Sequence, residues 1–327
     1  MNITNASTRF ATFGILGFFE FTVLSGKFEL NLHGSKRVMQ ALSCSQYRGN
    51  MKLKRLKTIP EVENLSARLD GDFEQQVFIS ALRNYCSMGN PIRFNNFAFV
   101  IRELLSRVTD RLAPVESVKL ACWHERASEQ REVNRRQQLK FCTQSYFPDD
   151  LVPDWVKEEI KEVTKDYLDL YQKLNKYTHI NEQALGKNPK EAFAFLKDLL
   201  SSFTSILDAI HDIKSHIIDE VEQEVHDIVF DKLVFESHEA LIEISSHTVV
   251  DAINVESYSI ESVEPDEVIF LGYGYVDCTL NYGPKSDPFS TGQSVPFTFK
   301  VSAPISDITK LDFYEQGMYL DNSSFYE

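Results

Sequence analysis

Cysteine is scarce in this chain. Five are spread over 327 residues, at positions 44, 86, 122, 142 and 278, and no two form a Cys-x-x-Cys pair. That spacing excludes a zinc ribbon and fits a reduced cytoplasm better than a disulfide framework. Long apolar runs are lacking too. The stretch ATFGILGFFEFTVLSG near the N-terminus contains Glu20 and falls short of the ~20 apolar residues that a membrane helix needs. No Walker loop, HExxH or GxSxG is present. Gly272 and Gly274 form a Gly-x-Gly fragment inside a strand-like pattern with no helix behind it, whereas a dinucleotide fingerprint needs strand, turn and helix in order. No cofactor and no metal site are therefore expected.

Positive charge is also in short supply overall, with a formal net charge of -14, but the deficit is uneven. Residues 1–50 hold five Lys/Arg against two Asp/Glu, and residues 51–150 hold sixteen against thirteen. The balance then reverses, to nine against sixteen over 151–230 and four against seventeen over 231–327. Phosphate contacts require local positive potential. A nucleic acid would therefore meet the first half of the chain and be repelled by the last third.

Residues 1–50 pattern poorly, as a marginal strand pair. Arg9 ahead of the apolar run gives the outline of a signal peptide, but no small-residue cleavage site follows. A start of translation at Met51, with MKLKRLKTIPEVENL as the natural beginning, is the favoured expectation, and the region should add little to the core. Helical periodicity begins at Asp72, with Phe73, Val77, Ile79, Leu82 and Tyr85 near one face and Gly89 as a stop. Pro91 opens a second helix to about Arg111, which Ala113-Pro114 breaks. A short helix and a turn are expected over 115–145, and a helix from Asp154 to about Tyr177. A long helix is expected over about 189–233, with a core stripe of Ile206, Ile210, Ile213, Ile217, Val221, Val225 and Ile228. Near Phe235 the period becomes two, through ALIEIS, HTVVDAINVE, YSIESV, DEVIFLGYGYVDCTLNYG and VPFTFKVSAP. The expected fold class is α+β: a mostly helical, bundle-like body over 51–235, a small antiparallel β domain over 236–310, and a loosely held tail over 311–327.

Several clusters could carry chemistry. Asp208, Asp212, His216 and Glu220 recur every fourth residue along one helix face, but no facing Glu-x-x-His set is found, so the row reads as a solvated face. Asp149, Asp154, Glu159 and Lys161 mimic a PD…ExK nuclease pattern, yet Glu159 and Lys161 lie on a helical stretch where that pattern needs a strand, so it reads as coincidence. Asn175, Lys176, Thr178 and His179 gather at a helix end. Histidine can move protons near neutral pH, and lysine can offset transition-state charge on phosphorus. A capping histidine is the plainer alternative. Arg102 and Glu103 sit beside a heavily apolar face, anchoring an ion pair or facing a cleft. Arg126, Arg131, Arg135, Arg136 and Lys140 form the densest basic stretch, with Trp123 and Phe141 nearby. That mixture suits single-stranded nucleic acid or a simple exposed basic helix.

An ordered string of features resembles one family. It runs from Arg93, Phe94, Asn96 and Phe97 to Arg102-Glu103-Leu104, then Ala113-Pro114, Trp123, Arg135-Arg136 and Tyr177-Thr178-His179. It ends with Ser246-His247, the YGPKSD turn with Ser286 and Asp287, and Pro296-Phe297. Over about 91–305 the chain resembles the predicted PIWI-associating nucleases, bacterial proteins found among phage-defence genes. The end of the helix at His179 looks like the active end of HEPN-type ribonucleases, small helical bundles that act without metal, usually as dimers. Their motif is an Arg, four to six residues, then His. Here no His has an Arg at that distance, and Lys173 stands six positions before His179. The same relation recurs at Lys27/His33 and Lys232/His238.

The resemblance implies a cytoplasmic, metal-independent endoribonuclease of anti-phage defence. His179, Lys173, Lys176, Asn175 and Arg102 are then the catalytic candidates, and Arg126, Arg131, Arg135, Arg136, Lys140 and Trp123 the nucleic-acid contacts. The partners expected are RNA, another defence-system protein and a second copy of the chain, with no membrane. The alternative is a non-catalytic partner or sensor module that docks through its acidic β domain.

Overall fold

The computed structural model describes side chains over residues 53–179, 190–234, 248–283, 289–314 and 317–321, and backbone alone for the strands before residue 40 and for the rest of the long helix. Met51, Ser246-His247 and the Pro284–Ser286–Asp287 turn lie outside these residues, as does most of 1–50. Near the N-terminus three short strands pair antiparallel in sequence order: β1 (Phe21–Leu24), β2 (Lys27–Leu32) and β3 (Ser35–Met39). The expected strand pair is thus a three-stranded meander.

The helical body contains α1 (Pro60–Arg68), α2 (Gly71–Cys86), α3 (Arg93–Leu112), α4 (Val115–Leu120), α5 (Arg135–Gln144), α6 (Asp154–Thr178) and α7 (Pro189–Ile242). Pro60 opens α1 in the first turn, where a missing N–H costs nothing. A reciprocal capping box between Asn134 and Gln137 starts α5. Pro114 separates α3 from α4. The α2 register differs from the expected one. The core takes Phe78, Ala81 and Leu82, and Phe73 is exposed, because Glu74 is buried instead. Its carboxylate accepts from Arg111 Nε at 2.7 Å and from the Asp70 N–H at 2.9 Å, tying α2 to α3.

Helix α7 spans 54 residues, about 80 Å at 1.5 Å per residue. Its buried stripe is Ile206, Ile210, Ile213, Ile217, Val221, Val225, Val229 and Leu233. Val229 takes the place expected of Ile228, and the helix continues past Phe235, where strand was expected. Arg68 of α1 pairs with Asp208, and Lys197 with Glu61 at 2.7 Å. The Lys197 ammonium holds the Glu61 carboxyl below its ordinary value.

Four strands form the second sheet, antiparallel in sequence order: β4 (Thr248–Val263), β5 (Glu267–Tyr282), β6 (Phe289–Pro304) and β7 (Asp312–Leu320). Residues 312–320, expected as loose tail, instead pair with β6, with Tyr319 opposite Thr298 and Leu320 opposite Phe297. The α+β architecture stands, with a mostly helical body followed by this antiparallel sheet.

On β5 the even residues from Val268 to Leu280 face the core, and on β6 the odd residues from Val295 to Ala303 do so. Strand β4 cannot keep a strict alternation. Its register slips between Val250 and Ala252, Val255 and Ser257, and Ile260 and Ser262. Each slip inserts one acidic residue: Asp251, Glu256 or Glu261. The core face of β4 is therefore Val250, Ile253, Val255, Tyr258, Ile260 and Val263, in steps of three and two. A bulge adds one residue and resets the side-chain phase.

Gly272 and Gly274 have a packing role in β5. A Cβ on Gly272 would lie 2.4 Å from the Phe299 ring and 2.7 Å from Tyr258 Cβ, and one on Gly274 would lie 2.1 Å from the Asn254 carbonyl oxygen. The sheet meets the helical body through α7. The Glu222 carboxylate accepts from the Ile260 N–H at 2.8 Å, and its carbonyl accepts from the Tyr258 hydroxyl. Lys232 pairs with Asp312 of β7 at 3.2 Å. Among the described residues no helix is long and apolar enough to cross a membrane.

Candidate active site

Helices α3 and α6 meet where α6 ends. Beneath the junction, Phe94 of α3, Tyr177 of α6 and Phe195 of α7 pack ring against ring, with centroids 4.6 to 5.2 Å apart. Aromatic contacts of this kind add to area burial. They bring together three segments that lie far apart in sequence.

Asn95 sits directly on this cluster and is buried, 4% exposed. Its Nδ2 donates to the Tyr177 carbonyl at 2.8 Å and to the His179 carbonyl at 3.2 Å. The last carbonyls of a helix have no intrahelical donor. Asn95 supplies one from a neighbouring helix and so fixes the chain at His179, which is the C-cap of α6. Asn95 Oδ1 is buried with no hydrogen-bond partner among the described residues.

Two turns further along α3, Arg102 reaches the same helix end. Its Nη1 donates to Asn175 Oδ1 at 3.2 Å and to Thr178 Oγ1 at 3.5 Å, and its Nη2 pairs with Glu103 at 2.8 Å. Arg102 Nε is buried and has no acceptor among the described residues. The guanidinium carbon lies 5.2 Å from the centre of the Phe99 ring. His179 itself is exposed. Of the expected catalytic candidates, the structure thus brings Arg102, Asn175 and His179 to one helix end, together with Thr178.

The two lysines are placed differently. Lys176 is exposed. Lys173 pairs with Asp198 of α7 and lies 5.1 Å from the Phe195 ring centre. It lines a groove of about 420 Å³ between α6 and α7 that also carries Asp166, Asp169 and Asp198. Its charge is met within that groove, outside the Arg102 network.

The basic stretch is dispersed. Arg126 donates to the carbonyls of Ser128 and Glu129, folding back on its own turn. Arg135 pairs with Asp110 at 3.0 Å and Lys140 with Asp149 at 2.6 Å. Arg131 and Arg136 are exposed. Trp123 is half-buried. Its indole N–H donates to the Ser145 carbonyl at 3.1 Å, and Lys140 Nζ lies 4.4 Å from its ring centre. Phe141 is buried.

The acidic rows are likewise held by local partners. Asp149 accepts from Gln144 at 2.7 Å, Asp154 pairs with Lys157 at 3.0 Å, Lys161 with Glu158 at 2.6 Å, and Glu159 with His216 at 3.4 Å. Among the described residues, no group of three or more His, Cys, Asp or Glu is placed to hold a metal ion.

Two family models match the chain, one over residues 66–203 and the other over 210–326, and both describe a predicted pPIWI-associating nuclease. The chain belongs to that family. The first match spans the helical body and contains the whole Asn95–Arg102–His179 site, and the second begins within α7 and takes in the sheet. No curated protein matches the chain, and no solved structure does.

Asn95 and Phe99 escaped the sequence reading. The available signal was an asparagine flanked by Phe94, Phe97 and Ala98 on an apolar helix face, where an unpaired amide is costly.

Proposed function

We propose that this protein is a metal-independent ribonuclease whose reacting group is His179. The observation that carries the reading is the reach of Arg102 to Asn175 and Thr178, beside an exposed histidine held by Asn95. In the proposed reaction His179 takes the proton from a ribose 2′-hydroxyl. The freed oxygen bonds to phosphorus, and the bond from phosphorus to the 5′-oxygen breaks. The leaving oxygen takes a proton from solvent water, giving a 2′,3′-cyclic phosphate and a 5′-hydroxyl end, and His179 returns its proton to solvent. Arg102 offsets the charge that builds on the non-bridging oxygens, as a preorganised cation does best. It takes this role in place of Lys173, whose ammonium is held by Asp198. Thr178 and Asn175 orient the guanidinium.

The test is cleavage of labelled single-stranded RNA, with and without chelator, and host toxicity on expression. General acid–base catalysis contributes ~10²–10⁴-fold, so His179→Ala should remove cleavage and toxicity while the fold persists. Wild-type cleavage by that variant would refute the reading. So would activity lost with chelator and restored by magnesium, which would return attention to Asp149, Asp154, Glu159 and Lys161.

A second reading has its own observation. The outer face of the sheet exposes Leu271, Tyr273, Tyr275 and Tyr319 beside the acidic bulge residues of β4, which suits docking of another protein. The two readings part at His179, since a docking module tolerates its loss.

A further inference from the structure

Phe99 is 48% exposed, although it lies on α3 between two residues that face the end of α6. Asn95, Phe99 and Arg102 are spaced four and three apart, which stacks them on one side of the helix. Asn95 is buried against the Tyr177 and His179 carbonyls, and Arg102 is partly buried against Asn175 and Thr178. The Phe99 ring between them therefore stands at the rim of the same junction, with the Arg102 guanidinium 5.2 Å from its centre. Its neighbours Phe94 and Phe97 are buried, so the helix had apolar room for aromatic rings and left this one in solvent.

We infer that Phe99 is the base-stacking platform of the site and restricts it to unpaired RNA. The inference rests on the ribonuclease reading. A phosphate held by Arg102 carries a ribose and a base on either side, and a flat apolar ring within contact of that guanidinium is where a neighbouring base can lie. Every base has a π-face, so the contact is indifferent to sequence. Bases inside a duplex are already stacked and cannot reach a ring at the protein surface, so single strands are selected. Glu103, paired with Arg102 at 2.8 Å, yields the guanidinium Nη2 to the incoming phosphate.

The experiment uses the full chain carrying His179→Ala, so that binding is read without cleavage. Fluorescence anisotropy compares a fluorescein-labelled single-stranded RNA with a duplex of the same sequence. Adding Phe99→Ala should weaken single-strand affinity by roughly 5- to 150-fold, the range for loss of one aromatic–base stack, and leave duplex affinity unchanged. Phe99→Trp should restore it. Phe99 is exposed and alanine favours helix, so the fold is preserved. Unchanged single-strand affinity, or an equal loss on both RNAs, overturns the inference. A shift in sedimentation with affinity unaltered does so as well, by making Phe99 a contact between copies. Cleavage by the His179→Ala chain would instead overturn His179 as the reacting group and leave the affinity comparison to decide Phe99.

Discussion

Asn95 combines near-complete burial with donation to two carbonyls at the end of another helix. Removing it takes away the two hydrogen bonds that Asn95 donates, each worth about 0.5–1.5 kcal/mol. The larger effect should fall on chemistry, because a shift of about 1 Å in a reacting group can cost 10²-fold. Asn95→Ala should therefore lower kcat for RNA while leaving KM near its original value. A uniformly weakened fold would move thermal stability alone. Steady-state kinetics beside a melting curve separates the two. His179 and Asn175 were legible in sequence because they cluster within five residues. Arg102 was visible with its role open. Asn95 was not legible as a site residue, because its significance comes from partners 82 and 84 positions away that only the crossing of α3 and α6 brings near.

At the scale of elements, periodicity revealed what sterics left regular. Helices α3 and α6 could be read from their apolar spacing and from the prolines and caps at their ends. Strand β4 looked like two segments because its inward residues run in steps of three and two. Strand β7 looked like tail because only pairing with β6 defines it. The end of α7 was misjudged because residues beyond Phe235 alternate well enough to suit either state.

The Gly-x-Gly fragment of β5 shows a packing role that sequence could only negate as a nucleotide loop. Gly272→Ala puts a methyl group against the Phe299 ring and Tyr258 Cβ. Overpacking of this kind costs about 1–3 kcal/mol, so its melting temperature should fall by several degrees. Gly292→Ala in β6, where a Cβ meets nothing within 4 Å, should leave melting almost unchanged. Equal melting of the two variants would refute this account of the glycines.

Across the whole molecule, α7 is the shared member. Its first turns contribute Phe195 to the cluster under His179, and its later turns hold β4 and β7 through Glu222 and Lys232. The two family matches divide within this unbroken helix. Charge turns earlier in the chain, near residue 150, with basic residues gathered ahead of α6 and acidic ones over α6, α7 and the sheet. A polyanion would therefore be drawn to the part of the helical body ahead of α6 and repelled from the sheet, an effect that salt weakens.

The three bulges of β4 have a colloidal consequence. A terminal strand of 16 residues is long enough to recruit a strand from another molecule and begin sheet-by-sheet growth. Here every fifth residue breaks the even hydrogen-bond spacing that a recruited strand would need, and each break carries a carboxylate. A strand so broken and charged should resist edge-to-edge growth. Replacing Asp251, Glu256 and Glu261 by Asn, Gln and Gln keeps the bulges and removes the repulsion. The triple variant should scatter more light than the parent at equal concentration, most of all at low salt. Unchanged scattering would assign the protection to the broken spacing alone, making the kinked backbone itself the barrier to fibre growth.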